Sequence, residues 1–160
     1  MPLCPKINKG KLTQVDLSKA DLSGANMTGA DLTESNLEGC DLSRANLTEA
    51  ILQRANMKNT FLIGANLQKA ELNKVNLENA NIAGAKLRKA NCQKANMKNT
   101  DLQRSDLEHA DFTQADLSKA SLAGSKLGEA CFKNANLTGA DLSLSDKTDS
   151  DFSGAKGYNS

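Results

Sequence analysis

The sequence predicts an all-β coil wound around a filled interior, and three observations carry that reading. Position 12 and every fifth position after it to 142 is Leu, Met, Ile, Phe or Cys, in 27 consecutive pentads. A small residue stands two places before most of these, usually Ala, as at Ala20, Ala25, Ala30 and Ala45. Residues twenty apart also match in kind: Phe112, Phe132 and Phe152 align, Glu38, Lys58, Glu78 and Lys98 alternate in sign, and ANMKNT recurs at 55–60 and 95–100. A strict internal period fixes the architecture ahead of any local propensity.

A period of five fits neither ordinary element. On an α-helix each residue turns by about 100°, so an apolar stripe repeating every five residues would circle the helix and bury no face. On a continuous strand the side chains alternate, so an odd repeat sends successive leucines to opposite faces. The pentad works if Ala-x-Leu is a short extended step, with Ala and Leu inward and the middle residue outward. The next two polar residues then turn a corner. The matches at twenty favour four such sides per coil over three, since opposite charges on neighbouring strands attract and like charges repel.

From the N-terminus, Pro2 and Pro5 cannot donate to a ladder and blunt the first edge of the coil. The segment MPLCPKINKGKLTQ holds no apolar run of a signal peptide, and no stretch approaches a membrane span. Cys4, Cys40, Cys92 and Cys131 fall on different registers: Cys4 in the N-terminal segment, Cys40 and Cys92 inward, Cys131 outward. Their wide spacing suits free thiols in a reducing cytoplasm and provides no paired zinc-ligand spacing.

The pentads ADLSG, ANLTE, ANLQK, ANMKN and ADLSK resemble the A(D/N)LXX motif of pentapeptide-repeat proteins over roughly residues 10–155. The resemblance implies a right-handed quadrilateral β-helix with four pentads per coil. On that basis the chain is one domain, 1–160, of about seven coils; at a strand spacing of roughly 4.8 Å they would form a rod on the order of 34 Å long. Ile51 and Phe61 depart from the motif at the outward Asp/Asn position, Cys92 at the central Leu, and Lys147 where an inward apolar residue belongs. Regular coils are therefore expected over about 10–145, with a short cap at 1–9. A C-terminal cap or tail at 146–160 would fold Phe152 and Tyr158 over the end.

Catalysis finds little support. His109, the one histidine, sits at an outward corner between Glu108 and Asp111, as a solvated residue with neither a nucleophile nor an enclosed pocket. Asp16, Asp21, Asp31 and Asp101 recur with the repeat, which points to structure: a short polar side chain beside a corner accepts backbone N–H groups. Asn36, Asn56, Asn76 and Asn96 fall twenty apart and are expected to form a side-chain ladder. The expectation is a non-enzyme with no cofactor and no metal.

Function then rests on the outer surface. Net charge is −2 over 1–53, +7 over 54–98 and −5 over 99–152. The resemblance brings in family members that protect DNA gyrase by mimicking duplex DNA, and this gives one reading. A duplex mimic should be acidic along its length, whereas this chain carries a basic belt at its centre. Arg54, Lys74 and Lys94 share one corner, Lys69 and Lys89 the next, with Lys86 and Arg88 close by, which gives a polyanion or nucleic-acid reading. Glu34, Glu49 and Glu71 lie among these cations, and no aromatic residue interleaves to stack on bases. The favoured reading is a protein-interaction scaffold. Phe61 and Ile63 should point outward around Leu62, and Ala83 on the next coil extends a weakly charged strip fit for a protein partner. The source is expected to be bacterial. A monomer is expected in the cytoplasm, with an end-to-end dimer as the alternative and no membrane association.

Overall fold

The computed structural model describes residues 11–158, so Pro2, Cys4, Pro5 and the expected N-terminal cap lie outside the described residues. Residue i pairs in parallel with residue i + 20, from Lys11 with Asp31 to Asn136 with Lys156. Four pentads thus separate stacked neighbours, and the chain is a repeat β-solenoid. We number its sides by their inward residues: first, Leu12 to Phe152; second, Leu17 to Leu137; third, Leu22 to Leu142; fourth, Met27 to Lys147.

The interior is solid. Leu32, Leu37, Leu42 and Leu47 are fully buried on the four sides of one coil, and Ala30, Ala45 and Ala50 pack between them. Small side chains at that position let successive sides meet without a void. Where Ser or Thr replaces Ala, a main-chain carbonyl takes its hydroxyl: Ser35 donates to Leu12 O at 2.6 Å, Thr60 to Met57 O at 2.7 Å and Ser105 to Ile82 O at 2.9 Å. Burial of a hydroxyl is tolerable only with such a partner.

A pentad that carries Asp or Asn satisfies all five of its N–H groups, as residues 36–40 illustrate. Asn36 donates to Val15 O at 2.9 Å on the preceding coil, while Leu37 and Gly39 donate to Asn56 O at 2.7 Å and Lys58 O at 2.9 Å on the following one. Cys40 closes the corner onto Leu37 O at 3.0 Å. The fifth, Glu38 N–H, goes to Asn36 Oδ1 at 3.2 Å. From Asp16 to Asp151, each Asp or Asn at this position caps the N–H two residues on. The Asp/Asn preference is thus backbone accounting.

Each corner also carries a left-handed residue. From Gln14 to Gly154, every fifth residue has φ between +55° and +72°, and lysines, arginines and glutamates share the position with glycine and asparagine. For a residue with a Cβ this costs roughly 1–2 kcal/mol. The cross-coil ladder holds it in place, as where Lys89 N donates to Glu108 O at 3.0 Å.

The C-terminal end differs from expectation. The register does not stop near 145: Asp151 pairs with Cys131, Lys156 pairs with Asn136, and Gly154 keeps the corner geometry. Phe152 is not folded over the end but continues the interior stack, its ring 4.9 Å from Phe132, which is itself 4.9 Å from Phe112. Tyr158 caps the stack at 3.9 Å. Gly157 makes that return possible, because a Cβ there would fall 2.5 Å from Thr138 Cα. Lys147 turns its ammonium back onto the last coil, donating to Leu142 O at 3.3 Å, Ser145 O at 3.2 Å and Ser145 Oγ at 3.1 Å. Three oxygen partners make an inward lysine tolerable at this end of the chain.

Candidate functional site

Only outward residues can act on a partner, because the interior is filled by the chain's own side chains. On the second side the outward Asn column forms the expected ladder. Asn56 Nδ2 reaches Asn36 Oδ1 at 3.1 Å, Asn76 reaches Asn56 at 3.4 Å, and Asn96 reaches Asn76 at 3.0 Å. Lys58 pairs with Glu78 at 3.3 Å, while Glu38 takes Asn56 Nδ2 at 3.2 Å. This side is polar and internally paired.

The third side is the reverse. Phe61 and Ile63 are 49% and 45% exposed. Phe61 stands where Asp41 and Asn81 stand on the neighbouring coils, so it brings no cap, and the Ile63 N–H has no internal acceptor among the described residues. Ala83 lies beside Ile63 on the next coil, and Gly64 and Gly84 keep the corner low; nothing lies within 4 Å of where a Gly84 Cβ would sit. Arg44 stands before these glycines in the corner column and Arg104 after them, both exposed and neither in an ion pair among the described residues. A shallow hollow of about 370 Å³ opens between Ser23, Gly24, Ser43, Arg44 and Ile63.

Sequence reasoning missed Leu144, which is 95% exposed and shares that corner column. Aligning the column from Gly24 to Gly124 would have exposed it. All three exposed large hydrophobics among the described residues therefore lie on one side of the solenoid.

The basic belt is partly neutralised. Arg54 pairs with Glu34 at 3.0 Å, Lys69 with Glu49 at 3.3 Å, and Arg88 with Glu108. Glu71 pairs with no lysine among the described residues and instead accepts from Asn91 at 2.9 Å. Lys74, Lys86, Lys89 and Lys94 are exposed and without an ion pair among the described residues.

His109 is not the freely solvated corner residue expected. It is half-buried, with Nδ1 3.2 Å from Glu129 Oε2 and Nε2 3.3 Å from Arg88 Nη2. With the proton on Nδ1 the ring donates to the carboxylate and accepts from the guanidinium. That pairing links stacked coils.

Cys40, Cys92 and Cys131 are free. Burial pushes the Cys40 thiol up to about 11 and also raises that of Cys92. Both stay protonated, and the Cys40 thiol donates to Ala20 O at 3.0 Å. Among the described residues, no helix is long and apolar enough to cross a membrane.

A family model described as pentapeptide repeats matches residues 11–48, 40–79, 76–114 and 115–154. Among solved structures, the chain is 27% identical to HetL, a pentapeptide repeat protein involved in heterocyst differentiation regulation in the cyanobacterium Nostoc; the match covers 98% of this chain and 91% of that one, at a TM-score of 0.39. It is 21% identical to a trypsin-treated QnrB1, a plasmid-mediated fluoroquinolone resistance protein, covering 95% and 83%, at a TM-score of 0.43. A pentapeptide repeat protein of the Arabidopsis thaliana thylakoid lumen is 32% identical over 63% of this chain and 67% of its own, at 0.34. No curated protein matches.

Proposed function

The chain belongs to the pentapeptide-repeat family, and from that premise we propose that it is a non-catalytic rod whose third side docks a protein partner. In this reading it is a right-handed quadrilateral β-helix of about seven coils, working in a bacterial cytoplasm. Three free thiols suit a reducing compartment. Phe61, Ile63 and Ala83 form the contact.

One observation carries the reading: Phe61 and Ile63, two of the three exposed large hydrophobics among the described residues, stand together on one side of the rod, with Ala83 beside Ile63 on the next coil. Apolar residues scattered singly need no explanation, whereas apolar residues gathered on one face mark an interaction surface. Phe61 also forfeits the turn cap that Asp41 and Asn81 supply on the neighbouring coils.

The test is affinity capture on the immobilised chain, with bound proteins identified by mass spectrometry. Phe61→Asp should lose the captured protein and leave the melting temperature nearly unchanged. Equal capture by both forms would sink the reading.

A second reading has its own support in Lys74, Lys86, Lys89 and Lys94, four exposed lysines with no ion pair among the described residues, joined by Arg54, Lys69 and Arg88. These could hold a polyanion, with affinity that falls as salt rises. Fluorescence anisotropy with labelled DNA and RNA duplexes tests it, and an absence of binding at low salt removes it. The central basic belt argues against the duplex-mimic alternative.

A further inference from the structure

The charges around the Phe61 patch have a pattern that the docking reading alone does not use. Four successive coils on the third side read Asp41-Ser43-Arg44, Phe61-Ile63-Gly64, Asn81-Ala83-Gly84 and Asp101-Gln103-Arg104. The apolar and low residues fill the middle two coils. Each outer coil carries an aspartate on one edge and an arginine on the other. The parallel register of twenty stacks these residues into three columns: Asp41, Phe61, Asn81 and Asp101 along one edge, Ser43, Ile63, Ala83 and Gln103 down the middle, and Arg44, Gly64, Gly84 and Arg104 along the other edge.

That layout is self-complementary under one operation. A two-fold axis parallel to the rod, lying in the contact plane, lays the aspartate edge of one copy on the arginine edge of another, coil for coil. Asp41 then faces Arg44 of the second copy, Asp101 faces Arg104, and Phe61 faces the low corner at Gly64 and Gly84. The hollow at Ser23, Ser43 and Arg44 receives the carboxylate edge. The perpendicular axis fails, because it sets Asp41 against Asp101 and Arg44 against Arg104, and like charges across an interface are costly.

We propose that the third side is a self-association surface on which two copies of this chain pair side by side with their rods parallel. The inference rests on the reading of that side as the docking face and names its occupant as a second copy. Three observations support it. Arg44 and Arg104 have no ion pair among the described residues, whereas Arg54 and Arg88 are paired within the chain. Asp41 and Asp101 each accept with Oδ1 from the turn, at 2.9 Å from Ser43 N and 3.0 Å from Gln103 N, and Oδ2 of each has no hydrogen bond among the described residues. Gly84 leaves open space opposite the partner's edge.

The contact is small. Four coils at roughly 4.8 Å by one extended step of about 10 Å give on the order of 200 Å² per copy, well under the roughly 800 Å² of a standard interface. The pair is therefore weak and forms at high local concentration, which is consistent with a monomer in dilute solution.

Sedimentation velocity from about 10 μM to about 1 mM at low salt should show a reversible dimer, weakened about tenfold or more in high salt. Phe61→Asp and the double variant R44E/R104E should each abolish it while circular dichroism stays native. R104E alone separates the two axes: it weakens the parallel pair but would strengthen a perpendicular one. Mixing R44E/R104E with a D41K/D101K chain should restore a dimer that neither forms alone. A wild type monomeric at about 1 mM overturns the inference, as does an R44E/R104E chain that dimerises like the wild type. If the wild type stays monomeric while Phe61→Asp still loses its captured protein, the second-copy inference fails and the docking reading survives. If Phe61→Asp abolishes the dimer yet keeps the captured protein, the captured protein binds elsewhere and the third side docks the second copy.

Discussion

The second and third sides of this rod share a filled apolar interior and differ most on the outside. Beneath both, buried leucines and methionines meet at the same register, Met57 on one and Leu62 on the other. Outside, the second side runs a continuous ladder through Asn36, Asn56, Asn76 and Asn96 in which each amide bonds both a neighbouring coil and its own turn. The third side breaks its column at Phe61, gives up a cap and exposes two apolar side chains. An aspartate or asparagine there would supply the cap that Asp41 and Asn81 supply on the neighbouring coils, so the turn itself does not require Phe61.

The comparison breaks first at the interior. Leu62→Ala, directly beneath the patch, should cost about 2–5 kcal/mol, as expected for a cavity in a filled core. Differential scanning calorimetry would show it, and a loss as small as that of a surface change would mean the interior is not packed as described. Asn56→Ala comes next. It removes donors to Asn36 and Glu38 and orphans the Lys58 N–H, so a loss of about 1–3 kcal/mol is expected in urea unfolding.

Phe61→Asn should do the opposite in stability and the same to binding. It restores a cap for the Ile63 N–H, so stability should hold or rise by up to about 1 kcal/mol. A clear drop in melting temperature would show Phe61 to be structural after all.

The smallest effect is a pH asymmetry. The hydroxyl of Ser23 holds the Asp21 carboxyl below its ordinary 3.8, and the Ser143 N–H does the same for Asp141. A carboxylate whose folded value is lowered contributes its full stability above the ordinary value and loses it as pH falls through the lower one. Asparagine caps do not titrate. Melting temperature should therefore be flat above the ordinary carboxylate range and decline below it, and Asp21→Asn should make that decline shallower. An unchanged slope in the variant would remove Asp21 as a contributor.

Much of this was legible in the sequence because the information is local. A pentad states which residues face inward, and its Asp or Asn lies two residues from the N–H it caps. The alignment of Phe112, Phe132 and Phe152 followed from a period of twenty. The end of the chain was harder to read: Lys147 looked like a terminator because its charge has no place in a core, yet carbonyls of its own last coil accept it. The left-handed corners were signalled only by scattered Gly and Asn, since lysine and arginine occupy the same position.

The sequence by itself determined the coil, its inward and outward faces and the role of its caps, since each is written within five residues. The tertiary structure decided which long side chains meet across coils. It paired Arg88 with Glu108 and left Arg44 and Arg104 unpaired, engaged His109 at both nitrogens, and set Leu144 on the same side as Phe61. The physical reason is reach: neighbours twenty residues apart stand one strand spacing apart in space, and a long flexible side chain at that distance has several partners between which local sequence cannot choose.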